Sequence, residues 1–224
     1  MEETLDLYPL YNSVRIALIT AALVFFAGIS SAYYISRLPR MIKGIIDVVL
    51  TIPLVLPPTV IGYLLLRTLG PHRPVGEFFL TYFDLRLTMT WWSTIFATVV
   101  VSFPLMYRTC RGAFESFDEN ISDAARTLGR SDSWIFWRLR LPLCRQGIIA
   151  GVVLSFARAL GEYGATSMIS GYTPGETATI STTVYQLWRT ENDDLAAQWV
   201  LINLLISFAV LLTINLLERK RRKL

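Results

Sequence analysis

The stretch that decides the fold is DAARTLGRSDSWIFWRLRLP (Asp123–Pro142), near the middle of the chain. It carries acids, arginines and a glycine, yet long apolar segments lie on both sides of it. Its apolar residues recur at helical spacing, which predicts short helices rather than an unstructured loop. A polar helical insertion between apolar segments indicates a membrane protein that keeps a structured loop outside the bilayer.

The composition supports this interpretation. Of the 224 residues, 53% are hydrophobic and 17% are charged, and the mean hydropathy is +0.46. An ordinary globular domain is roughly 45–50% apolar and about 25% charged. The two cysteines, Cys110 and Cys144, are predicted to be free thiols near the cytoplasmic face. Together with the single histidine, His72, they are too few for a closed zinc site.

Five segments are apolar enough over about 20 residues to cross a bilayer as helices. The predicted fold is therefore an all-α membrane protein with five transmembrane helices in a single domain, residues 1–224. The predicted spans are residues 14–35, 44–69, 89–110, 146–168 and 196–217, and the longest loop covers residues 111–145.

The basic residues predict the orientation of these spans. The N-terminus, MEETLDLYPLYNS, is acidic and lacks the basic region of a cleavable signal peptide. If it lies outside, 15 of the 21 lysines and arginines face the cytoplasm, as the positive-inside rule requires. These are Arg37, Arg40, Lys43, Arg108, Arg111, Arg126, Arg130, Arg138, Arg140, Arg145, Arg219, Lys220, Arg221, Arg222 and Lys223.

The cytoplasmic loop contains signals for two helices. The sequence SFDE, beginning at Ser116, has the spacing of a capping box. Gly129 stands where a glycine would end the first helix, and Ser131 or Asp132 can cap the second. A helix with a small-residue surface suits close docking of another protein. The alternative is an amphipathic helix that lies on the membrane through its tryptophans and arginines.

Prolines interrupt the second predicted span, in TIPLVLPPTVIGYLLL (Thr51–Leu66). Each proline removes a backbone donor and clashes with the preceding turn. Such interruptions are tolerated in a membrane where other groups satisfy the freed carbonyls. The interruption is interpreted either as a broken helix that lines a pathway or as a static kink. The candidate pathway residues here are Pro53, Pro57, Pro58 and Thr59.

The fourth predicted span contains Arg158 and Glu162, four residues apart and so on one helix face. Charges within a span are costly and usually face a partner or an aqueous cavity. The pair either holds helices together or biases a pathway toward anions. Gly161 and Gly164 suit close helix packing. The candidate pathway residues of this span are Ser155, Arg158, Glu162 and Thr166.

The central loop resembles the "EAA" loop of ABC importer permeases. That pattern is E-A-A, three residues, G, nine residues, I-x-L-P. Here it becomes Asp123-Ala124-Ala125, then Gly129, then Leu139-Arg140-Leu141-Pro142, with Asp for Glu and Leu for Ile. The resemblance implies that Asp123, Ala124, Ala125, Gly129, Leu139, Leu141 and Pro142 belong to a coupling helix that docks on an ATPase subunit.

Four further motifs are similar to the permeases of molybdate ABC importers, over almost the whole chain. They are IPLVLPPTVIGYLLL, AARTLG, LGEYGAT and PGETATI. The resemblance implies the type I importer (MetI-like) fold and a homodimer in the inner membrane of a bacterium or archaeon. It also implies an ABC ATPase dimer beneath and a periplasmic or lipid-anchored oxyanion-binding protein outside. Permeases for tungstate, sulfate and thiosulfate share this architecture.

Other functional classes find less support in the sequence. The chain contains no G-x-x-x-x-G-K-[ST] phosphate loop, so the expected ATP-Mg is used by a separate subunit and this chain needs no cofactor. A gradient-driven channel or carrier would be expected to show an inverted repeat or a chain of buried acids. A membrane enzyme would need clustered catalytic residues.

Membrane lipid is an expected partner and nucleic acid is not. The polar outer segment GYTPGETATISTTVYQLW, predicted to carry a short surface helix, is interpreted as either a receptor-facing surface or an ordinary loop.

Overall fold

The computed structural model describes residues 6–221, with side chains described as far as residue 212. The predicted basic tail extends past this limit, and Arg222 and Lys223 lie outside the described residues, as do residues 1–5 of the acidic N-terminal segment. Residues 6–221 contain helices and no β-strand. The helices are, in chain order, α1 (Tyr8–Ser36), α2 (Arg40–Val55), α3 (Pro58–Leu69), α4 (Pro74–Phe83), α5 (Trp91–Glu115), α6 (Glu119–Thr127), α7 (Asp132–Ile135), a π-helical turn (Phe136–Arg140), α8 (Leu141–Leu143), α9 (Arg145–Leu160), α10 (Gly164–Ile169), α11 (Ile180–Arg189) and α12 (Asp193–Arg221).

Three of the described helices are long and apolar enough to cross a membrane: α1, α5 and α12 as far as Leu212. Two bent pairs pass the same test only when each pair is taken as one segment. The chain bends by 111° between α2 and α3, and by 70° between the segment Asp132–Leu143 and α9. By length and composition, the described residues therefore supply three crossings, or up to five if each bent pair is one span. The second pair takes in Asp132–Leu143, which the predicted spans had left in the loop at residues 111–145.

The helix bounds differ from the predicted spans where charges are paired. Helix α5 continues to Glu115, although the apolar stretch ends at Cys110, because the charged Arg111 pairs with Asp47 and Glu115. The fourth predicted span is two helices, α9 and α10, separated by residues 161–163. Hydropathy therefore places the apolar segments but does not show where a helix ends or breaks.

The main core is formed by α1, α5 and α9. Val24 from α1, Met106 and Cys110 from α5, and Ile148 from α9 are buried against one another. Gly28 allows a close approach of α1 to α5, since a Cβ there would lie 2.6 Å from Cγ of Met106. Small residues bring helices together in a membrane, where lipid provides no hydrophobic force for their association.

A second, smaller core joins α3, α5 and α10. Its buried members are Ile61 of α3, Ala97 and Val101 of α5, and Ala165 and Ile169 of α10. The second half of one broken span is thus packed on the second half of the other. This packing positions the candidate site within the membrane.

Candidate docking loop and broken spans

The first helix of the polar loop at residues 111–145, α6, ends at the predicted glycine. Gly129 has φ +74°, a left-handed conformation that glycine adopts without a steric penalty. The amide of Gly129 donates to the carbonyl of Arg126 at 2.9 Å, and that of Arg130 donates to the carbonyl of Ala125 at 3.0 Å. These two bonds form a Schellman motif, so the predicted helix end is confirmed.

The predicted capping box at the start of α6 is wrong. The residue that caps α6 is Asp118, whose carboxylate accepts from the amide of Asn120 at 3.0 Å. Ser116 instead follows the last residue of α5, and its hydroxyl donates to the carbonyl of Ala113 at 2.9 Å. Because α5 runs five residues past the predicted span, Ser116 ends one helix rather than beginning the next.

The two motif alanines have different environments. Ala125 is buried within the loop, whereas Ala124 and Asp123 are exposed. On the side of Ala124, Ile121 is 39% exposed and Leu128 is 80% exposed. We call Ile121, Ala124 and Leu128 the docking face, because their spacing places them on one side of α6. Within the described chain this apolar face has no cover.

Ion pairs hold the loop in one shape. The guanidinium of Arg126 lies 2.6 Å from the Asp123 carboxylate and 3.0 Å from that of Asp132, which caps neither helix but ties α6 to α7. Asp132 and Asp123 raise the pKa of Arg126 above its ordinary value. The predicted cap of α7, Ser131, accepts from the amide of Trp134 at 3.3 Å.

The end of the motif, Leu139 to Pro142, is anchored by a buried arginine. Arg140 is 3% exposed, pairs with Glu119 at the start of α6, and has its guanidinium 4.8 Å from the ring centre of Phe117. Leu139 and Leu141 are half-buried, and Pro142 is exposed in α8. The beginning and end of the predicted coupling motif are therefore joined into one folded unit.

The break in the second span lies at Leu56 and Pro57. Leu56 adopts an extended conformation, as a residue before proline does, and α3 begins at Pro58, where the absent amide costs no hydrogen bond. Pro53 lies inside α2 without ending it. With a bend of 111°, the prolines produce a change of direction and not a shallow kink.

The break in the fourth span is organised by Glu162. This residue lies beyond the end of α9, so it does not share a continuous helix with Arg158 as its spacing suggested. One carboxylate oxygen, Oε1, accepts from the amide of Ala165 at 2.6 Å, and the other, Oε2, lies 2.5 Å from Nη1 of Arg158. The carboxylate thus stabilises the start of α10 and pairs with the arginine in the last turn of α9. Glu162 is buried, and the Arg158 side chain keeps 29% of its surface exposed.

The two breaks lie against each other. A Cβ on Gly164 would be 2.9 Å from Cβ of Pro58 and 3.0 Å from the amide nitrogen of Thr59. A Cβ on Gly62 would be 2.7 Å from the carbonyl oxygen of Ala165. The structure therefore brings together Pro58, Thr59 and the Glu162 segment, which the sequence had placed in two separate spans.

Two other predicted pathway residues are bonded within the helices. Ser155 is buried, and its hydroxyl donates to the carbonyl of Ser102 at 3.3 Å. The hydroxyl of Thr166 donates to the carbonyl of Tyr163 at 2.9 Å. The Ser155 bond links α9 to α5, and the Thr166 bond lies within the first turn of α10. Cys110 and Cys144 are buried free thiols, and Sγ of Cys144 lies 3.2 Å from the carbonyl oxygen of Ala113.

The outer segment with the PGETATI motif is fixed to the start of α1. The side-chain amide of Asn12 donates to the carbonyl of Ala178 at 2.8 Å and accepts from the indole of Trp91 at 2.7 Å. Ser13 accepts from the amide of Ile180 at 2.8 Å, where the predicted surface helix α11 begins. Pro174 and the residues after it, through 176, are exposed at the tip of this rigid support.

The polar loop and the two broken spans fall within a match to one family of membrane proteins. The family described as "Binding-protein-dependent transport system inner membrane component" matches residues 24–223. The chain belongs to this family. The match includes α6, both breaks and the outer segment, so each feature of the candidate site lies within it.

Curated relatives match nearly the full length of the chain. The molybdenum transport system permease protein ModB of Escherichia coli (strain K12) is 39% identical over 220 residues, which are 96% of each chain. The putative molybdenum transport system permease protein YvgM of Bacillus subtilis (strain 168) is 35% identical over 207 residues. These are 92% of this chain and 91% of that protein.

The fold also occurs in a solved transporter. A bacterial alginate ABC transporter in complex with an alginate pentasaccharide-bound periplasmic protein superposes with a TM-score of 0.79. The match covers 98% of this chain and 80% of that one at 18% identity, so the likeness concerns the fold alone. The predicted all-α importer-permease fold is confirmed.

Sequence reasoning missed the pairing of three charged residues that the structure places in contacts between elements. Glu119 and Arg140 join the two ends of the docking loop, and Asp47 joins α2 to α5. Each pairs with a residue more than 20 positions away, so no local pattern predicted these pairs. Asp47, near the start of the largely apolar 44–69 segment, was the available signal, since a charge there requires a partner.

Proposed function

We propose that this chain is the membrane permease subunit of an ATP-driven importer of molybdate. The observation that carries the proposal is the docking loop, a folded polar unit whose apolar docking face has no cover among the described residues. A soluble protein that binds this face would explain why Ile121 and Leu128 remain exposed. The length and identity of the matches to molybdenum permeases favour molybdate over tungstate, sulfate or thiosulfate as cargo.

The proposed assembly has this chain as a homodimer in the inner membrane, with its N-terminus outside and its C-terminus in the cytoplasm. A dimer of ABC ATPase subunits, which use ATP-Mg, binds the two docking loops. A periplasmic or lipid-anchored binding protein delivers the oxyanion at the outer face, near the exposed PGETATI tip. The chain itself needs no cofactor for this role.

In the proposed mechanism, closure of the ATPases on ATP moves the two docking loops toward each other. Because the ion pairs of Arg126 and Arg140 hold each loop as one unit, the motion passes to the helices above it. The dimer then switches between inward-facing and outward-facing packings as rigid bodies. Selection among anions rests with the binding protein, because moving a dianion from water into a tight membrane site costs several kcal/mol of desolvation free energy.

The broken spans are the proposed route of the anion. The partly exposed Arg158 supplies positive charge, and Glu162 fixes its guanidinium beside the break. Pro53, Pro57, Pro58 and Thr59 would line the other wall, with Ser155 and Thr166 supporting the fourth span. Arg158 in this role would favour anions over cations, since a charge facing a membrane cavity biases what passes.

The test is reconstitution of the permease with its cognate ATPase and binding protein in proteoliposomes. ATP hydrolysis and uptake are measured with binding protein loaded with molybdate, tungstate, sulfate or thiosulfate. Molybdate-loaded receptor is expected to stimulate hydrolysis most. A larger response to another oxyanion would change the cargo, and uptake that persists without ATP and collapses with an uncoupler would indicate a gradient-driven carrier.

The same assay tests the route. Arg158→Gln is expected to lower molybdate uptake while the ATPase still binds the docking loop. Uptake equal to that of the unmodified complex would remove Arg158 from the pathway and leave it a structural ion pair.

A further inference from the structure

A compact ionic cluster joins α2 to the cytoplasmic end of α5. The guanidinium of Arg111 pairs with Asp47 and lies 3.0 Å from the Glu115 carboxylate, which also pairs with Lys43. The hydroxyl of Tyr107 donates to the Asp47 carboxylate. We call these five residues, Lys43, Asp47, Tyr107, Arg111 and Glu115, the α2–α5 latch. Two cations balance two anions, as charges at a membrane border require.

Helix α2 is held to the rest of the chain by this latch together with limited packing. It contains no fully buried residue, and Met41 and Val55 are 83% and 85% exposed, although Ile46 and Leu50 pack partly buried against the main core. The charged groups of α2 in the latch are better covered, since the side chains of Asp47 and Lys43 are 15% and 19% exposed. The latch is therefore the polar part of the attachment of α2 to the rest of the chain.

On one side the latch leads directly to the docking loop. Glu115 is the last residue of α5, and Asp118, three positions on, caps α6. The next residue, Glu119, pairs with the buried Arg140 at the far end of the loop. A displacement of the loop would thus move the last turn of α5, where Arg111 and Glu115 lie.

On the other side the latch leads to the broken spans. Helix α2 runs from the latch to the break at Leu56 and Pro57, and α3 begins at Pro58. Pro58 and Thr59 lie against Gly164, two residues after Glu162. A continuous series of contacts therefore joins the docking loop, α5, the latch, α2 and the point where the two breaks meet.

We infer that Asp47 and Arg111 are positioning residues for transport, which transmit movement of the docking loop through α2 to the broken second span. This inference rests on the proposed function. The latch does not contact the anion or ATP. Its role is to keep α2 fixed to α5, so that the break moves when the loop moves.

The experiment compares Asp47→Asn with the unmodified permease in the complete transporter, reconstituted with ATPase and molybdate-loaded binding protein. Molybdate uptake and phosphate release are measured in the same vesicles. The substitution keeps the shape of the side chain but removes the charge that holds Arg111. The ratio of molybdate taken up to ATP hydrolysed is expected to fall by a factor of about 3 to 30, while hydrolysis continues. Asp47→Glu, which restores the charge, is expected to recover most of the ratio.

Asp194→Asn is the matched control, since it removes an exposed carboxylate at the start of α12 and should leave the ratio unchanged. Equal loss of uptake and hydrolysis in Asp47→Asn, or an unchanged ratio, would overturn the inference. If Asp47→Asn does not assemble, Tyr107→Phe removes only the hydroxyl bond to Asp47 and must lower the ratio in the same direction. Absence of stimulated hydrolysis and of uptake in the unmodified complex would instead overturn the proposed function.

Discussion

At the scale of single residues, adjacent side chains of the docking loop have different environments and different roles. Ala125 is buried against the rest of the loop, and its carbonyl accepts the hydrogen bond that ends α6. Ala124 is exposed on the docking face with Leu128. One alanine is therefore packed within the loop, and its neighbour lies on the exposed docking face.

Replacing Ala124 and Ala125 by leucine, one at a time, should separate these two roles. In Ala125→Leu, the added atoms overpack the loop and should destabilise it by about 1–3 kcal/mol. Ala124→Leu should leave the loop folded and weaken binding of the ATPase, because the larger side chain blocks close approach. Hydrogen exchange of α6 reports the first effect, and affinity of the ATPase for the permease in nanodiscs reports the second. Unchanged affinity in Ala124→Leu would contradict the assignment of the docking face.

The residue-scale predictions that succeeded rest on local backbone chemistry. Gly129 was predicted because a left-handed helix end favours glycine, and φ +74° agrees. The Ser116 cap was predicted wrongly because a charged residue, Arg111, ends the apolar stretch but not the helix. Its partner Asp47 lies 64 positions earlier, and a linear pattern does not reveal such a pair.

At the scale of helices, the decisive feature is the contact between the two broken spans. The prolines of the second span predicted a break, but the fourth span offered only glycines, which indicated close packing. Gly164 does pack closely, against Pro58 and Thr59, whereas a Cβ on Gly161 would meet only the Ala157 carbonyl oxygen, at an ordinary 3.7 Å. That the two breaks meet depends on how α3, α5 and α10 pack in three dimensions, which helical periodicity does not encode.

Gly62→Ala should show that this contact is required. The new methyl group would meet the backbone of Ala165 at 2.7 and 2.8 Å, where no side chain can move aside. We expect a loss of about 1–3 kcal/mol, seen as a lower thermal denaturation midpoint in detergent. Gly44→Ala is the matched control, because nothing lies within 4 Å of a Cβ there. Its midpoint should stay equal or rise slightly, since alanine favours a helix by up to about 1 kcal/mol over glycine. Equal midpoints for the two variants would contradict the proposed close contact.

At the scale of the whole molecule, an outward-facing apolar surface surrounds a core formed by α1, α5 and α9. Only 11% of an 18-residue apolar stretch of α12 is buried within the chain, and Leu204 and Phe208 are among the exposed residues of this helix. Such a helix is stable where lipid or a second copy covers it. Two exposed polar segments lie apart from this core in the chain: the PGETATI segment, fixed to the start of α1, and the docking loop, which follows the end of α5. The molecule therefore has two chemically different faces, and the orientation of the chain decides which of them is cytoplasmic.

The basic residues predict that the docking loop and the C-terminus share the cytoplasmic side, because 15 of the 21 lysines and arginines then lie inside. Green fluorescent protein fused to the C-terminus should fluoresce, since it folds in the cytoplasm but not after export in an unfolded state. Alkaline phosphatase inserted at Gly175 should be active, and the same enzyme inserted at Gly129 should be inactive, because it requires the oxidising outer compartment. Both glycines have positive φ and open space around them, so the two insertions are matched in local strain. Activity at Gly129 together with inactivity at Gly175 would reverse the topology. It would also place the docking face on the side without ATP, where an ATPase could not drive transport.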